Sequence, residues 1–277
     1  MDRDVYFKKV VTLEEGGHTL RLRVAQGLFS SHEVDRGTRL LLRSLAGIGP
    51  FRKVLDVGCG YGPIGLALKK ANEAGVVHML DRDALAVDYS RQNAELNRLA
   101  GVETYGSLGY DDVADRDFDL IAANIPGKAS MQVISYLLLE TRHYLRPGGM
   151  AAIVVVAPLQ RMVISILTGS ADVQVLYREA RSGYVLYHYR FSGGPNGETR
   201  PDQTALERGV YHRGAMTVAA GDLWFPMKTA DGLPQFDSLS YRTELLIRVM
   251  RDVGGPAVRR AVVFNPGQGH VPVALWR

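Results

Sequence analysis

The chain has 277 residues, 46% hydrophobic and 22% charged, which is enough for one large domain or a domain with a smaller companion. A single cysteine excludes an internal disulfide and a cysteine-rich zinc site and fits a reducing cytoplasm, and no apolar run approaches the ~20 residues of a membrane span. No apolar signal region opens the chain, so the expected location is the cytoplasm, with no membrane partner, and the formal charge of +4 suits an anionic partner without demanding one.

In chain order, Val10–Leu13 and Leu20–Val24 flank the turn Glu15-Gly-Gly-His18 and predict a hairpin. A polar loop, Phe29–Glu33, leads into a helix pattern over Gly37–Leu45. Val54-Leu-Asp-Val57 reads as a buried strand, and a glycine-dense turn then runs into an apolar helix at Ile64–Leu68. Val76–Leu80 is strand-like, Ala84–Leu99 amphipathic, and Phe118–Ala123 another buried strand. Met131–Leu145 predicts a helix that stops at Arg146-Pro-Gly-Gly149. Ala151–Val156 has the continuous apolar character of a central parallel strand. Val173–Leu176 and Tyr184–Tyr189 predict an antiparallel edge hairpin. Strands alternating with helices imply βαβ units, hence an α/β class with a doubly wound, mostly parallel sheet.

Residues 192–202 have linker composition. Beyond them the N-terminal region echoes. Val210-Tyr211 matches Val5-Tyr6 and Arg242–Arg248 matches Gly37–Arg43, both at an offset of 205, while Ala261–Leu275 matches the strand–turn–helix at 207. In that register Gly60 and Gly62 survive as Gly267 and Gly269, Asp56 becomes Val263, Gly58 becomes Asn265, and the chain ends where the second helix should begin. The expected organisation is 1–191 as the main domain, 192–202 as linker and 203–277 as a truncated, degenerate second copy without a complete ligand site.

Glycine lacks Cβ, so a ligand can lie against the backbone at a helix N-terminus, where free N–H groups point outward. Gly60-Tyr-Gly-Pro-Ile-Gly65, with Asp81 some way beyond, satisfies the dinucleotide fingerprint and alone suggests NAD. Asp56, two residues before the first glycine, would repel a pyrophosphate. Asn124-Ile-Pro-Gly127 after a later strand is a motif that NAD folds do not need. An acidic strand end suits a cofactor with a positive centre and an amino group.

Phe29-Ser-Ser with Asp35-Arg-Gly-Thr-Arg-Leu-Leu-Leu42, Val54–Gly65, Asp81 and Asn124-Ile-Pro occur in an order and spacing that resemble the class I S-adenosylmethionine-dependent methyltransferases. More narrowly, residues 5–190 resemble the "methyltransferase small" family, which includes guanine-N2 methyltransferases of small-subunit ribosomal RNA. The resemblance implies a seven-stranded sheet, S-adenosyl-L-methionine as cofactor and an exocyclic amine of an RNA base as acceptor. Family members are often tandem duplicates, but those acting on RNA carry the degenerate half first, whereas here it would come second.

By position, the resemblance places Phe29, Asp56, Gly58, Cys59, Gly60, Tyr61, Gly62, Arg82 and Asn124 along the cofactor, Asp81 at the ribose hydroxyls, and Ser107 near the adenine, where the family commonly has an acid. Asp81 also reads as a helix N-cap before Asp83–Val87. Asn124, Ile125 and Pro126 correspond to an Asn-Pro-Pro-aromatic motif. The Asn124 oxygen and the Ile125 carbonyl would accept hydrogen bonds from the acceptor amine, and Pro126 would hold Ile125 extended. Here the first proline is Ile125 and the aromatic is Gly127, so a flat base would need Phe29 or Tyr61 for stacking. The structural alternative is that Asn124 merely turns the chain.

Three further readings remain beside RNA methylation: a small-molecule or protein-amide acceptor, a non-catalytic RNA-binding or assembly module, and NAD binding. Cys59 is expected to be small filler, His32 a surface residue, and Tyr184, Tyr187 and Tyr189 ordinary strand composition. The seven histidines show no metal-ligand spacing, so no metal is expected. Arg178 and Arg181 could touch phosphate. Monomer and homodimer both remain open.

Overall fold

A computed structural model describes residues 4–72, 75–193, 202–254 and 259–277. They form two compact units, Met1–Gly127 with Ile134–Ala205 and Lys128–Val133 with Leu206–Arg277. Most of the linker expected at 192–202 lies outside the described residues.

The first unit opens with the hairpin β1 (Phe7–Glu15) and β2 (His18–Ala25), turned by Gly16 and Gly17, whose φ values of 58° and 79° suit a two-residue hairpin loop. There follow α1 (Arg36–Leu45), β3 (Lys53–Val57), α2 (Pro63–Ala71), β4 (Val76–Asp81), α3 (Ala84–Leu96), β5 (Val102–Gly106), β6 (Phe118–Asn124), α4 (Met131–Leu139), β7 (Leu145–Val156), α5 (Gln160–Gly169), β8 (Val173–Arg181) and β9 (Tyr184–Phe191). Seven strands make one sheet in the order β5-β4-β3-β6-β7-β9-β8, parallel except for β9 against both its neighbours.

Alternate residues bury opposite faces of this sheet. Val54, Val77, Met79, Leu120, Ala122, Ala152, Val154 and Leu186 join one core with residues of the hairpin, α1, α2 and α3. On the other face, the buried Tyr189 and Tyr187 hydroxyls donate to the Leu138 carbonyl of α4 and the Gln160 carbonyl of α5. The sheet is therefore doubly wound and mostly parallel, with seven strands, as expected.

Two expectations change. The helix over Met131–Leu145 ends at Leu139, because the Thr141 hydroxyl donates back to the Leu138 carbonyl in a tightened 3-10 turn over Glu140–His143 and Leu145 already pairs with Phe118 in β7. The amphipathic stretch to Leu99 stops at Leu96, capped by Asn97 and followed by Arg98 at φ 53°. Helix α5 had no counterpart in the sequence reading.

The hairpin is tied down by carboxamides. Asn93 accepts from the Arg23 N–H at 2.7 Å and donates to the Arg23 carbonyl at 3.0 Å and the Tyr61 carbonyl at 2.8 Å. One helical turn on, Asn97 accepts from the Arg21 N–H at 2.9 Å and donates to its carbonyl at 2.7 Å. The outer edge of β2 thus finds its backbone partners on α3 rather than on another strand.

In the second unit β10 (His212–Ala220) and β11 (Leu223–Ala230) form a hairpin, followed by α6 (Tyr241–Gly254) and α7 (His270–Trp276). Val218, Ala220, Phe225, Ile247 and Ala274 form its small core. A helix does follow the second glycine turn, but Ala261–Phe264 is not a strand.

Candidate active site

The sheet register builds the site. Val57 pairs with Leu80 on one side and Ala123 on the other, while Asp81 pairs with Gly106. One residue further along, Gly58, Asp81, Asn124 and Ser107 therefore share one rim. Between β3 and β6 the connections leave in opposite directions, so this rim lies at the topological switch point, the usual ligand crevice of such sheets.

The turn over Gly58–Gly62 needs its glycines. Gly58, Gly60 and Gly62 have φ of 72°, 56° and 91°, and a Cβ added at Gly58 or Gly60 would meet nothing within 4 Å. The backbone there faces open space, with Gly62 as N-cap of α2. Gly65 serves packing instead: its added Cβ would lie 2.7 Å from Met79 and 3.1 Å from Asp56 Oδ2.

Asp56 is fully buried, and its Oδ2 accepts from the Gly65 N–H at 2.8 Å, inside the first turn of α2. Oδ1 has no hydrogen-bond partner among the described residues. Burial, and secondarily the charge of Asp81, raise the carboxyl to about 7, against relief from Gly65. Cys59 is buried and its thiol is pushed well up by burial, then by Asp56 and Asp81, so it is no thiolate nucleophile. The Tyr61 ring is buried, its hydroxyl donating to the Ser30 carbonyl at 3.3 Å. Ser107 is buried in its own loop, donating to the Gly109 carbonyl and accepting from the Asp112 N–H.

The half-buried Asp81 accepts from the Gly60 N–H at 2.9 Å through Oδ2 and from the Asp83 N–H at 2.9 Å through Oδ1. The N-cap of α3 is Asp83, not Asp81. Each carboxylate oxygen of Asp81 retains a further lone pair for a ligand. Arg82 is exposed, as is His32, whose Nε2 lies 2.9 Å from Lys8 Nζ. Phe29 is 74% exposed.

Asn124 ends β6, and its Nδ2 donates to Asp35 Oδ2 at 2.9 Å and Thr38 Oγ1 at 3.2 Å. Ile125 is buried, its N–H held by the Val154 carbonyl at 2.9 Å; Pro126 and Gly127 are exposed. Val156 occupies the space beside Gly127, where an added Cβ would come within 3.3 Å. The sequence reading missed that Asp35 and Tyr184 converge on this corner. Tyr187 and Tyr189 are wholly buried and form no stacking platform. Among the described residues no group of His, Cys, Asp and Glu could hold a metal.

A glycine turn, an acid on the next strand and an amide across the switch point thus meet at the rim of a doubly wound α/β sheet. The chain belongs to the methyltransferase small domain family, whose model matches residues 19–187. It is 37% identical over 130 residues to the uncharacterized protein YbxB of Bacillus subtilis (strain 168), covering 47% of this chain and 65% of that one. It is 38% identical over 141 residues to ribosomal RNA small subunit methyltransferase C of Pseudomonas putida (strain W619), covering 50% of this chain and 41% of that one. The chain thus spans less than two thirds of either relative. Among solved structures, the T. thermophilus 16S rRNA N2 methyltransferase RsmC, in complex with AdoMet and guanosine, matches with a TM-score of 0.55 and 22% identity over 66% of this chain and 50% of that one. At that identity the likeness is one of fold.

Proposed function

We propose that the first unit is an S-adenosylmethionine-dependent N-methyltransferase acting on an exocyclic amine of a base in small-subunit ribosomal RNA, in the manner of guanine-N2 methylation. The observation that carries this reading is Asn124 at the switch-point rim with both amide protons held by Asp35 and Thr38, which leaves Oδ1 to accept from an incoming amine. Such an amine is a poor nucleophile because its lone pair is delocalised into the ring. An acceptor that fixes its N–H bonds turns the lone pair toward the methyl donor, so the contribution is positioning and electrostatics.

The cofactor fits the residues present. The open backbone at Gly58 and Gly60 would receive its amino-acid and ribose part, and the spare lone pairs of Asp81 would take the ribose hydroxyls. Bound there, it would supply an electrophilic methyl group. Asp56 would act from behind, fixing the first turn of α2 against β3. With Tyr61 buried and Gly127 without a side chain, the exposed Phe29 ring is the stacking surface left for a flat base.

The P. putida relative is named for ribosomal RNA methylation, and the RsmC structure contains AdoMet and guanosine; both support RNA over a small-molecule or protein acceptor. We further propose that residues 203–277 are a degenerate second copy of the N-terminal region.

Two measurements test the reading. Calorimetry should show binding of S-adenosylmethionine and its demethylated product, and no binding would overturn it. Unmodified small-subunit ribosomal RNA should accept methyl groups from the wild-type protein. Asn124→Ala should lower kcat by about 10²–10³-fold, as loss of an oriented polar group does, with cofactor affinity unchanged. Transfer to small amines alone would favour the small-molecule acceptor.

A further inference from the structure

The Tyr184 hydroxyl donates to Asp35 Oδ1 at 2.8 Å, while Asp35 Oδ2 accepts from Asn124 Nδ2 at 2.9 Å and from the Thr38 N–H at 3.2 Å. Asp35 therefore does two things. It caps α1, and it stands as a two-faced acceptor between β9 and β6. A carboxylate only accepts, so the Asn124 atom facing it must be the amide nitrogen. The second amide proton goes to Thr38, one turn into α1, at 3.2 Å. No described group donates to Asn124 Oδ1.

Local sequence supports the arrangement. Gly37 has no Cβ, and one built there would lie 2.7 Å from the Tyr184 ring and 2.8 Å from Asp35 Oδ2. The ring can cross the start of α1 only because that position is glycine. Tyr184 pairs with Val156 at the end of β7, two residues past the Val154 that pairs with Asn124, so the three strand ends stand side by side. Burial raises the Tyr184 phenol, and the hydrogen bond to Asp35 raises it further, so it stays a donor at neutral pH.

We infer that Asp35 and Tyr184 are positioning residues for Asn124: Tyr184 orients the Asp35 carboxylate, and Asp35 with Thr38 locks the Asn124 amide with its oxygen toward the acceptor amine. The inference rests on reading Asn124 as the residue that meets the acceptor. Without the lock the amide can rotate and present N–H groups to N–H groups, a repulsive pairing.

Asp35→Ser separates capping from positioning. Serine caps helices as well as aspartate, and Ser240 Oγ accepts from the Thr243 N–H at 3.2 Å at the start of α6. Serine is too short to bridge Tyr184 and Asn124. With ribosomal RNA as substrate, Asp35→Ser should lower kcat about 10–100-fold, the loss expected for a hydrogen bond to a charged group, with cofactor Kd and KM for RNA within about 2-fold. Tyr184→Phe should lower kcat by about 5-fold. Adding Asn124→Ala to Asp35→Ser should leave kcat no lower than Asn124→Ala alone, because both act through one amide. Multiplying losses would overturn the inference.

A second readout does not need turnover. The Asn124 side-chain amide protons should exchange slowly with solvent in the wild type and at least 10-fold faster in Asp35→Ser. Unchanged exchange would overturn the inference even if the protein proves active. Slow wild-type exchange in a protein that methylates no RNA would defeat the proposed function and leave the lock standing.

Discussion

The start of the first unit and the second unit carry similar elements at matching offsets, in different company. β1 and β10 begin and end 205 residues apart, as do β2 and β11, and both hairpins carry an irregularity after the first pair, Phe7/Lys9 and His212/Gly214. α1 and α6 begin at Arg36 and Tyr241, the same distance apart. The turns agree at an offset of 207: φ is 56° at Gly60 and 55° at Gly267, and 91° at Gly62 and 90° at Gly269. Yet Leu55 and Val57 are buried in β3 between β4 and β6, whereas Val262 and Phe264 are 99% and 90% exposed and form no strand. Turns and caps are written in local residue chemistry. A parallel strand exists only where neighbours accept its hydrogen bonds.

The largest effect is expected at Asn93. Asn93→Leu would leave the Arg23 N–H, its carbonyl and the Tyr61 carbonyl without their partner in a buried place. The expected loss is about 3 kcal/mol, read by urea unfolding followed through a probe in the first unit.

Gly58→Asn copies the second turn into the first. Asparagine is the side chain that best tolerates the left-handed region, as Asn265 does at φ 52°, so stability should fall by no more than about 1 kcal/mol. Its side chain would enter the open space before the cradle and weaken cofactor binding about 10–100-fold by calorimetry. Unchanged affinity would mean that the cofactor does not lie on Gly58.

The buried acid gives the next effect; at the offset of 207 its position holds Val263. The Asp56 carboxyl is raised by burial from an ordinary 3.8 to about 7, so between those pH values the folded chain holds a proton that the unfolded chain has released. Its stabilising protonation is fully present below about pH 4 and lost as pH rises to about 7. His188, lowered by burial from 6.5 to about 4, acts oppositely, its contribution being lost as pH falls. The stability difference between wild type and Asp56→Asn isolates the first effect and should fall from pH 4 to pH 7, then level off. A flat difference would show that Asp56 is ionised throughout.

The smallest effect concerns strand edges. Pro226 and Lys228 in β11 stand where β2 has Arg21 and Arg23. Proline and lysine are residues that keep an edge from pairing. Pro226→Thr should change stability by no more than about 0.5 kcal/mol while promoting self-association, visible in sedimentation velocity.

The parts of the fold that sequence made legible are those with local signatures: the glycine turn, the two-glycine hairpin, the apolar strands. The expected helix over Met131–Leu145 runs too long because Tyr144 and Leu145 fall seven residues after Leu137 and Leu138, at helical spacing, although Leu145 already belongs to β7. Asn124 and Asp81 could be placed from motif and spacing. The lock on Asn124 could not, because Asp35 and Tyr184 lie 89 and 149 residues from their partners in the chain and meet only through the fold. Asp56 was legible as an acid at a strand end, but which way its side chain points depends on the close packing that Gly65 permits.

The carboxamides along β2 have a geometric consequence. Residues four apart on a helix rise about 6.0 Å, and residues two apart on a strand about 6.6–6.8 Å. A helix laid along a strand can therefore present an amide to every second residue, each amide imitating one rung of a neighbouring strand. As α3 advances from Asn93 to Asn97, β2 retreats from Arg23 to Arg21. The two repeats drift apart by about 0.7 Å per rung, so the imitation works for two rungs and fails over many. Helix α3 ends with its second rung, at the length where helix and strand still keep step.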